Sequence, residues 1–305
     1  MFQTYIANGR EYFLFDGKKK DFPFPESLLR FLYLDFSEYD ALTHRMARAL
    51  ENYYPSKNQK YLDEVVAGLN RLAQAHIYFE CLHEEWMQKM DAAKTASGRL
   101  SELLPRKELS QIGSDVSQIQ KQIKAIFAAV LDKDNARMTF EQFAAAPAHN
   151  DLLSFSFHPL KIQYALTDEG VFTDVLGTSS FYDLIDFSLR ECLKRGVQMR
   201  ICKNCGQYFA LSGKGTAEYC EITLDAKGRT CKETGAMKQY SRSKKDNPVF
   251  GEYRREYKRR FAWIKSGRID SDAFYAWSAE ARQKEAECEQ GEISFEEFKA
   301  WLARL

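Results

Sequence analysis

Apolar positions along this chain change period as it proceeds. Between Glu26 and about Leu131 they recur every three or four residues, the spacing of helices that bury one face. The longest stripe joins Leu69, Leu72, His76, Phe79, His83, Trp86 and Met90, and predicts a helix from about Asn58 to Met90. Ahead of this region, Phe2–Ala7 and Glu11–Phe15 flank Asn8-Gly9, a dipeptide that supplies the positive φ angles of a tight hairpin turn. Lys18–Lys20 reads as a solvated loop. Pro105 and Gly113 are expected to interrupt the helical pattern before it resumes over Val116–Leu131, and Met138–Asn150 is an Ala-rich connector containing Pro147.

Past the connector the period shortens. Leu153–Phe157, Lys161–Leu166 and Gly170–Leu176 predict short strands, with a turn at Thr167–Gly170. Ser180–Arg195 predicts an amphipathic helix burying Phe181, Leu184, Ile185, Leu189, Cys192 and Leu193, stopped by Gly196. Gln207–Leu211 and Ala217–Tyr219 read as the arms of a hairpin turning at Ser212–Gly215. Thr230 suits the N-cap of a helix from Cys231 to about Tyr240, and Asn247-Pro248 suits the start of the next. Helices are expected near Asp272–Glu289 and Ser294–Leu305, the last opened by a Ser294/Glu297 capping box. These elements predict a mainly α fold with a small β component (α+β). The expected divisions are a helix-rich N-terminal domain with an initial hairpin over 1–150 and a strand-and-helix lead-in over 151–198. A four-cysteine module over 199–245 and a basic, then acidic, helical tail over 246–305 complete the chain.

With 45% apolar and 14% aromatic residues in 305, the chain has the material for an ordinary buried core. No apolar run is long enough to span a bilayer, and Met1–Phe13 lacks the basic region and apolar core of a signal peptide. A cytoplasmic, reducing setting without membrane contact is the expectation. There, clustered cysteines are metal ligands more often than disulfides. Four of the seven cysteines are spaced C-x2-C-x14-C-x10-C from Cys202 to Cys231. Thiolates satisfy tetrahedral Zn2+ without redox chemistry. Cys202 and Cys205, followed by Gly206, suit a zinc knuckle. Cys231 opens a helix, whose N-terminal dipole favours a thiolate. Cys202, Cys205, Cys220 and Cys231 are therefore candidate ligands of a structural Zn2+ in a treble-clef or zinc-ribbon-like layout, with no coordination position left for catalysis. The plainer alternative is four ordinary reduced cysteines. Cys81, Cys192 and Cys288 read as small buried hydrophobes.

The run RICKNCGQYF from Arg200, with Glu218–Cys220 and GRTCKETGAMK from Gly228, resembles the C-terminal segment of a family of bacterial proteins of unknown function. It is similar, more distantly, to the CGNR-type zinc finger of bacterial transcriptional regulators. The resemblance covers roughly Phe181–Tyr240 and rests on the cysteines, Phe209 and Tyr219. It implies a zinc-stabilised, nucleic-acid-binding module. Cys231-Lys232-Glu233-Thr234 stands where that finger has Cys-Gly-Asn-Arg, so no role of its arginine transfers. The N-terminal half does not match the sensor domain that usually accompanies the finger.

The formal charge of +1 conceals an asymmetry: Lys194–Arg268 carries 19 basic and 7 acidic residues, and the remainder is acidic. Arg229, Lys232, Lys238, Arg242, Lys244 and Lys245 are the candidate phosphate contacts to DNA or RNA. A second group, Arg254, Arg255, Lys258, Arg259 and Arg260, surrounds an aromatic stripe of Phe250, Tyr253, Tyr257 and Phe261. The bland reading of that stripe is a packed face with a solvated charged side. The acidic N-terminal half could mask the basic face until displaced. Gly213–Thr216 lacks the upstream glycine of a phosphate loop. Glu80-x-x-His83 has no second copy for a di-metal site. His149-Asn150-Asp151 lacks the downstream histidines of a nuclease. The leading expectation is thus a non-enzymatic, zinc-stabilised nucleic-acid-binding protein, a candidate bacterial regulator. The alternatives are a protein-interaction module with a purely structural zinc, its partner held by the N-terminal half, and an enzyme with its site in that half.

Overall fold

The computed structural model describes residues 2–95, 98–145, 155–212, 215–223, 228–245 and 247–304, the side chains of 240–245 excepted. Helix accounts for about 60% and strand for 14%, so the chain is mainly α with a small β component. It divides into two compact units: Met1–Ile201 with Gln207–Ala217, and Cys202–Gly206 with Glu218–Leu305.

The larger unit begins with an antiparallel meander, β1 (Phe2–Ala7), β2 (Arg10–Phe15) and β3 (Lys18–Pro23). Asn8 and Gly9 turn the first hairpin at φ 50° and 73°, as their sequence suggests. Lys18–Lys20 is a strand rather than a loop. As the outermost strand, β3 leaves its lysines in water while its backbone pairs with β2. Helices follow: α1 (Glu26–Leu32), α2 (Ser37–Ser56), α3 (Gln59–Ala75), α4 (Ile77–Thr95), α5 (Leu100–Leu103), α6 (Arg106–Ile126, prolonged by a π turn to Leu131) and α7 (Phe140–Ala145). The chain then gives β4 (Ile162–Leu166), β5 (Phe172–Thr178), α8 (Phe181–Lys194), β6 (Met199–Ile201) and β7 (Tyr208–Ala210). Strands β4 and β5 join the meander in one sheet of order β3-β2-β1-β5-β4. Of the expected strand at Leu153–Phe157, residues 155–157 are irregular and the rest lies outside the described residues.

Two departures from the helical expectation have local causes. The predicted Asn58–Met90 helix is two helices. His76 is extended (φ −157°, ψ 145°); its Nδ1 accepts from Tyr78 N–H at 3.2 Å, and its Nε2 contacts the Ser27 carbonyl at 3.0 Å. The ring substitutes for the helical bonds it interrupts. Burial holds this histidine down to about 4, so it is neutral. Gly113, by contrast, does not interrupt α6. A Cβ there would sit 2.2 Å from Asp40 Oδ1, so the Asp40 carboxylate of α2 takes the space beside the glycine as α2 packs on α6.

The inner face of the sheet carries Phe2, Phe13, Phe15 and Leu176 into one core with Phe31, Phe79, Trp86, Phe127 and Phe181. Glu11 lies among them, 1% exposed. Its carboxyl accepts from Ser27 N–H at 2.5 Å and bonds Ser27 Oγ at 2.7 Å; Ser27 Oγ meets Tyr78 Oη at 3.0 Å, and Tyr78 donates to Ser188 Oγ at 2.9 Å. Aligned polar groups of this kind are tolerable because each has a partner. The β6–β7 hairpin is fastened to the same unit. Tyr208 donates from its backbone N–H to Tyr33 Oη (2.6 Å) and from Oη to buried Asp132 (3.1 Å), and Arg200 forks onto both oxygens of Asp134.

In the smaller unit α9 (Cys231–Lys245) is followed by α10 (Pro248–Lys265), α11 (Ser271–Glu289) and α12 (Phe295–Leu302). Asn247 caps α10 and the Ser294/Glu297 capping box opens α12, as expected. Most of the aromatic stripe of α10 is a packed face: Tyr253 is buried with Ala281, Phe298 and Leu302, joined by Phe250, Tyr257 and Trp277, while Phe261 is 43% exposed. Arg260 is buried too. It pairs with Glu256 at 3.0 Å, lies 4.5 Å over the Trp277 ring and donates to the Leu302 and Arg304 carbonyls. It is a structural arginine at the end of α12, whereas Arg254, Arg255, Lys258 and Arg259 are exposed.

Burial raises the Glu11 carboxyl from its ordinary 4.5 to about 8. The folded protein therefore keeps a proton there that the unfolded chain releases above about 4.5. The stability this contributes is complete below that pH and declines as pH rises towards 8. Glu11→Gln keeps one acceptor and one donor for Ser27. It should flatten the decline in stability across this window, as read by denaturant unfolding at stepped pH. An unchanged slope would mean that Glu11 is ionised in the fold.

Candidate metal centre

The four cysteines of the motif converge. The ligand atoms of Cys202, Cys205, Cys220 and Cys231 all lie within 4.8 Å of one another; Cys205 is half-buried and the other three are buried. Each reaches this point for a local reason. Cys202 and Cys205 sit on a knuckle at the tip of the β6–β7 hairpin, closed by Gly206 N–H donating to Cys202 O at 2.9 Å with Gly206 at φ 74°. That positive φ is glycine's province. Cys220 precedes a narrow pairing of Thr223 with Thr230, which returns the chain towards Cys220. Cys231 N–H then donates to Ile222 O (3.1 Å) and Lys232 N–H to Cys220 O (2.9 Å). Thr230 and Glu233 form a reciprocal capping pair, so α9 starts at Cys231 as its sequence suggests.

The predicted hairpin is located differently. Its arms are β6 and β7 on either side of the knuckle, and Ala217–Tyr219 is not a strand. Within the larger unit, Arg200 Nη1 holds the Ala217 carbonyl (2.8 Å). Within the smaller one, Lys203 N–H holds that of Glu218 (3.1 Å). These bonds replace the ladder that a strand would need. Of the predicted turn, Gly213 and Lys214 lie outside the described residues.

The donor set fits a metal ion. Cys205 Sγ and Cys220 Sγ are 3.7 Å apart. A disulfide would bring them to about 2.0 Å. A tetrahedral ion with sulfur arms of about 2.3 Å has edges of about 3.8 Å. Polar hydrogens point at the sulfurs: Cys220 N–H lies 3.4 Å from Cys202 Sγ, and Asn204 Nδ2 lies 3.2 Å from Cys231 Sγ. Burial pushes the Cys202 thiol up, but the backbone N–H groups of Cys220, Cys205 and Asn204 outweigh it and leave the group down at about 7. Burial raises the Cys220 thiol. The sequence pattern alone does not mark Asn204 as part of the site. The available signal was an amide side chain between the two cysteines of a C-x2-C pair.

Tyr219 and Gly235 hold the module together. A Cβ on Gly235 would fall 2.2 Å from the Tyr219 ring, so the absent side chain is what lets the aromatic lie against α9. Arg229 is exposed just ahead of α9. Lys232 is exposed and pairs with Glu221 at 2.8 Å, and Lys238 is half-buried. The side chains of Arg242, Lys244 and Lys245 lie outside the described residues. Cys81 and Cys192 are buried in the larger unit, and Cys288 is half-buried on α11.

The sequence model of a family of unknown function (DUF6076) matches residues 151–304, half of the chain, and the chain belongs to that family. Neither the curated proteins nor the solved structures searched contain a match.

Gly235→Ala forces Tyr219 off α9 and should destabilise the smaller unit by about 1–3 kcal/mol in denaturant unfolding. Gly251→Ala is the control, since a Cβ on that α10 glycine meets nothing within 4 Å. It should be neutral or stabilising by up to about 1 kcal/mol. Equal effects from both would mean that the Tyr219 contact carries no weight.

Proposed function

We propose that this family member holds a structural Zn2+ on Cys202, Cys205, Cys220 and Cys231, and that the module so stapled binds nucleic acid through phosphate contacts. The convergence of four sulfurs within 4.8 Å, with Cys205 and Cys220 at the 3.7 Å edge of a zinc–thiolate tetrahedron, carries the metal reading. Soft thiolates favour Zn2+ among the common divalent ions. Four protein ligands close the shell, so the ion's part is to fix the knuckle and the start of α9. The resemblance to the CGNR-type finger belongs with this reading and rests on the cysteines, Phe209 and Tyr219.

Support for the nucleic-acid reading comes from charge. On α10, Arg254, Arg255, Lys258 and Arg259 are exposed while Phe250, Tyr253 and Tyr257 pack into the core of the unit. A cationic helix face displaces counterions from a phosphate backbone. With Arg229, Lys232, Lys238, Arg242, Lys244 and Lys245 it would form the contact surface. Regulation in a bacterial cytoplasm would be its setting.

One observation favours the second reading, a protein-interaction module in which the metal only staples the fold. Several cations are already spent on acidic neighbours: Lys203 on Glu218, Lys232 on Glu221, Arg255 on Glu252 and Arg259 on Glu256. An enzymatic site in the larger unit is the least supported. A cleft there gathers Asp115, His158, Tyr182 and Asp186. Its carboxylates are committed: Tyr182 donates to Asp115 at 2.7 Å, and Asp186 is held by Arg190 and by His158 N–H. The groove that holds His44 contains neither His76 nor His83.

Metal analysis with a thiol titration is the first test. Purified protein should carry zinc in equal amount to chain, with four thiols becoming reactive on chelation and the knuckle and the start of α9 losing their fold; metal-free protein with four reactive thiols overturns the metal reading. The second test is binding to duplex and single-stranded nucleic acid across a salt series. Reversing charge at Lys244 and Lys245, or at Arg254 and Lys258, should weaken binding and lower the slope of log affinity against log salt by about 0.7–0.9 per lost phosphate contact. A stable protein complex indifferent to these changes would establish the second reading.

A further inference from the structure

The two edges of the five-stranded sheet are built oppositely. Strand β3 reads KKKDFP, and lysines with a terminal proline are what discourages an edge from pairing. Strand β4 reads IQYAL, with no charge and no proline, and is the other edge of the sheet among the described residues. An unprotected edge offers a row of backbone donors and acceptors to another strand.

The side chains of β4 add to this. Register sets Ile162 opposite Leu176, Tyr164 opposite Asp174 and Leu166 opposite Phe172. All three therefore share the face on which Leu176 enters the core. The layer covering that face stops short of them: Leu176 is 0% exposed, against 41% for Ile162, 72% for Tyr164, and 59% for both Leu166 and Phe172. Tyr164 and Phe172 stack with centroids 5.8 Å apart. An apolar strip of this kind, continuous with a core and ending in water, marks an interaction surface.

The strand's own pattern identifies what fits it. Antiparallel pairing of two copies about a two-fold through Tyr164 sets Ile162 against the partner's Leu166, Gln163 against the partner's Ala165, and Tyr164 against the partner's Tyr164. The alternation is preserved, so both apolar strips fall on one face. Exposed Lys161, just before β4, then lies beside the partner's Thr167–Asp168 turn. Asp168 already reaches Lys19 at 3.3 Å, yet its side chain is 77% exposed and available. Parallel pairing would instead set lysine beside lysine and aspartate beside aspartate. We infer that β4 is the dimerisation edge of this protein: two chains join antiparallel across Tyr164 into one continuous ten-stranded sheet.

Sedimentation of the full chain over a concentration series tests this. The wild type should form a dimer. Tyr164→Lys and Tyr164→Glu each place like charges on the two-fold and should weaken it about tenfold or more. An equimolar mixture of the two should recover it, because lysine then faces glutamate. Tyr164 is exposed, so at concentrations where the wild type is itself monomeric both variants should match its thermal unfolding. If either does not fold, Leu166→Lys and Ile162→Glu, two positions away, should each weaken the dimer by setting a charge against an apolar side chain, and their mixture should recover it because lysine then faces glutamate. A wild type that stays monomeric, a dimer indifferent to Tyr164→Lys, or a mixture that fails to recover association would each overturn the assignment.

Discussion

Four sulfur atoms within 4.8 Å are the constraint on which the knuckle and the start of α9 depend. Cysteines 29 positions apart in the chain meet there only if three separate turns are right. The knuckle must fold back at Gly206, the Thr223–Thr230 pairing must return the chain, and α9 must begin at Cys231. Each turn is secured by its own hydrogen bonds, and N–H groups at the sulfurs offset the cost of crowding polarisable, ionisable atoms together. The remaining helices have an independent support, the aromatic core of α10, α11 and α12 with Arg260 closing its end. A binding surface on this unit would therefore be rigid on its packed side and chargeable on its exposed side.

The larger unit is governed by its sheet. Helices cover one face and bury Phe2, Phe13, Phe15 and Leu176, with Glu11, Ser27, Tyr78 and Ser188 as a polar thread through the interior. Such a thread restricts the packing alternatives that phenylalanines and leucines alone would allow. The same sheet ends in two unlike edges. In the dimer we infer, that asymmetry would link a local property, side-chain choice on β3 and β4, to assembly.

Much of this was legible because local signals are strong where one residue decides. Asn8-Gly9 could hardly be anything but a hairpin turn. Asn247-Pro248 and Ser294 with Glu297 marked helix starts that the structure has. The C-x2-C pair and two further cysteines marked the cluster. Readings failed where a distant partner overrode the local pattern. His76 keeps helical spacing but leaves the helix because Ser27 and Tyr78 offer its ring bonds. Gly113 is a helix breaker in isolation and a contact residue beside Asp40. Lys18–Lys20 has the composition of a loop and becomes a strand because β2 presents an open edge.

The sequence by itself determined the class of fold, the order of most elements and the identity of the four clustered cysteines. These follow from periodicity, capping chemistry and spacing, which act over a few residues. Only the tertiary structure decided the rest. It put β4 and β5 in one sheet with β1, made β6 and β7 the arms around the knuckle, turned Arg260 inward while its neighbours stayed in water, and left β4 at the edge of the sheet among the described residues. Those outcomes depend on which surfaces meet across long stretches of chain. Hydrogen-bonding edges and apolar faces accept many partners, and packing selects among them.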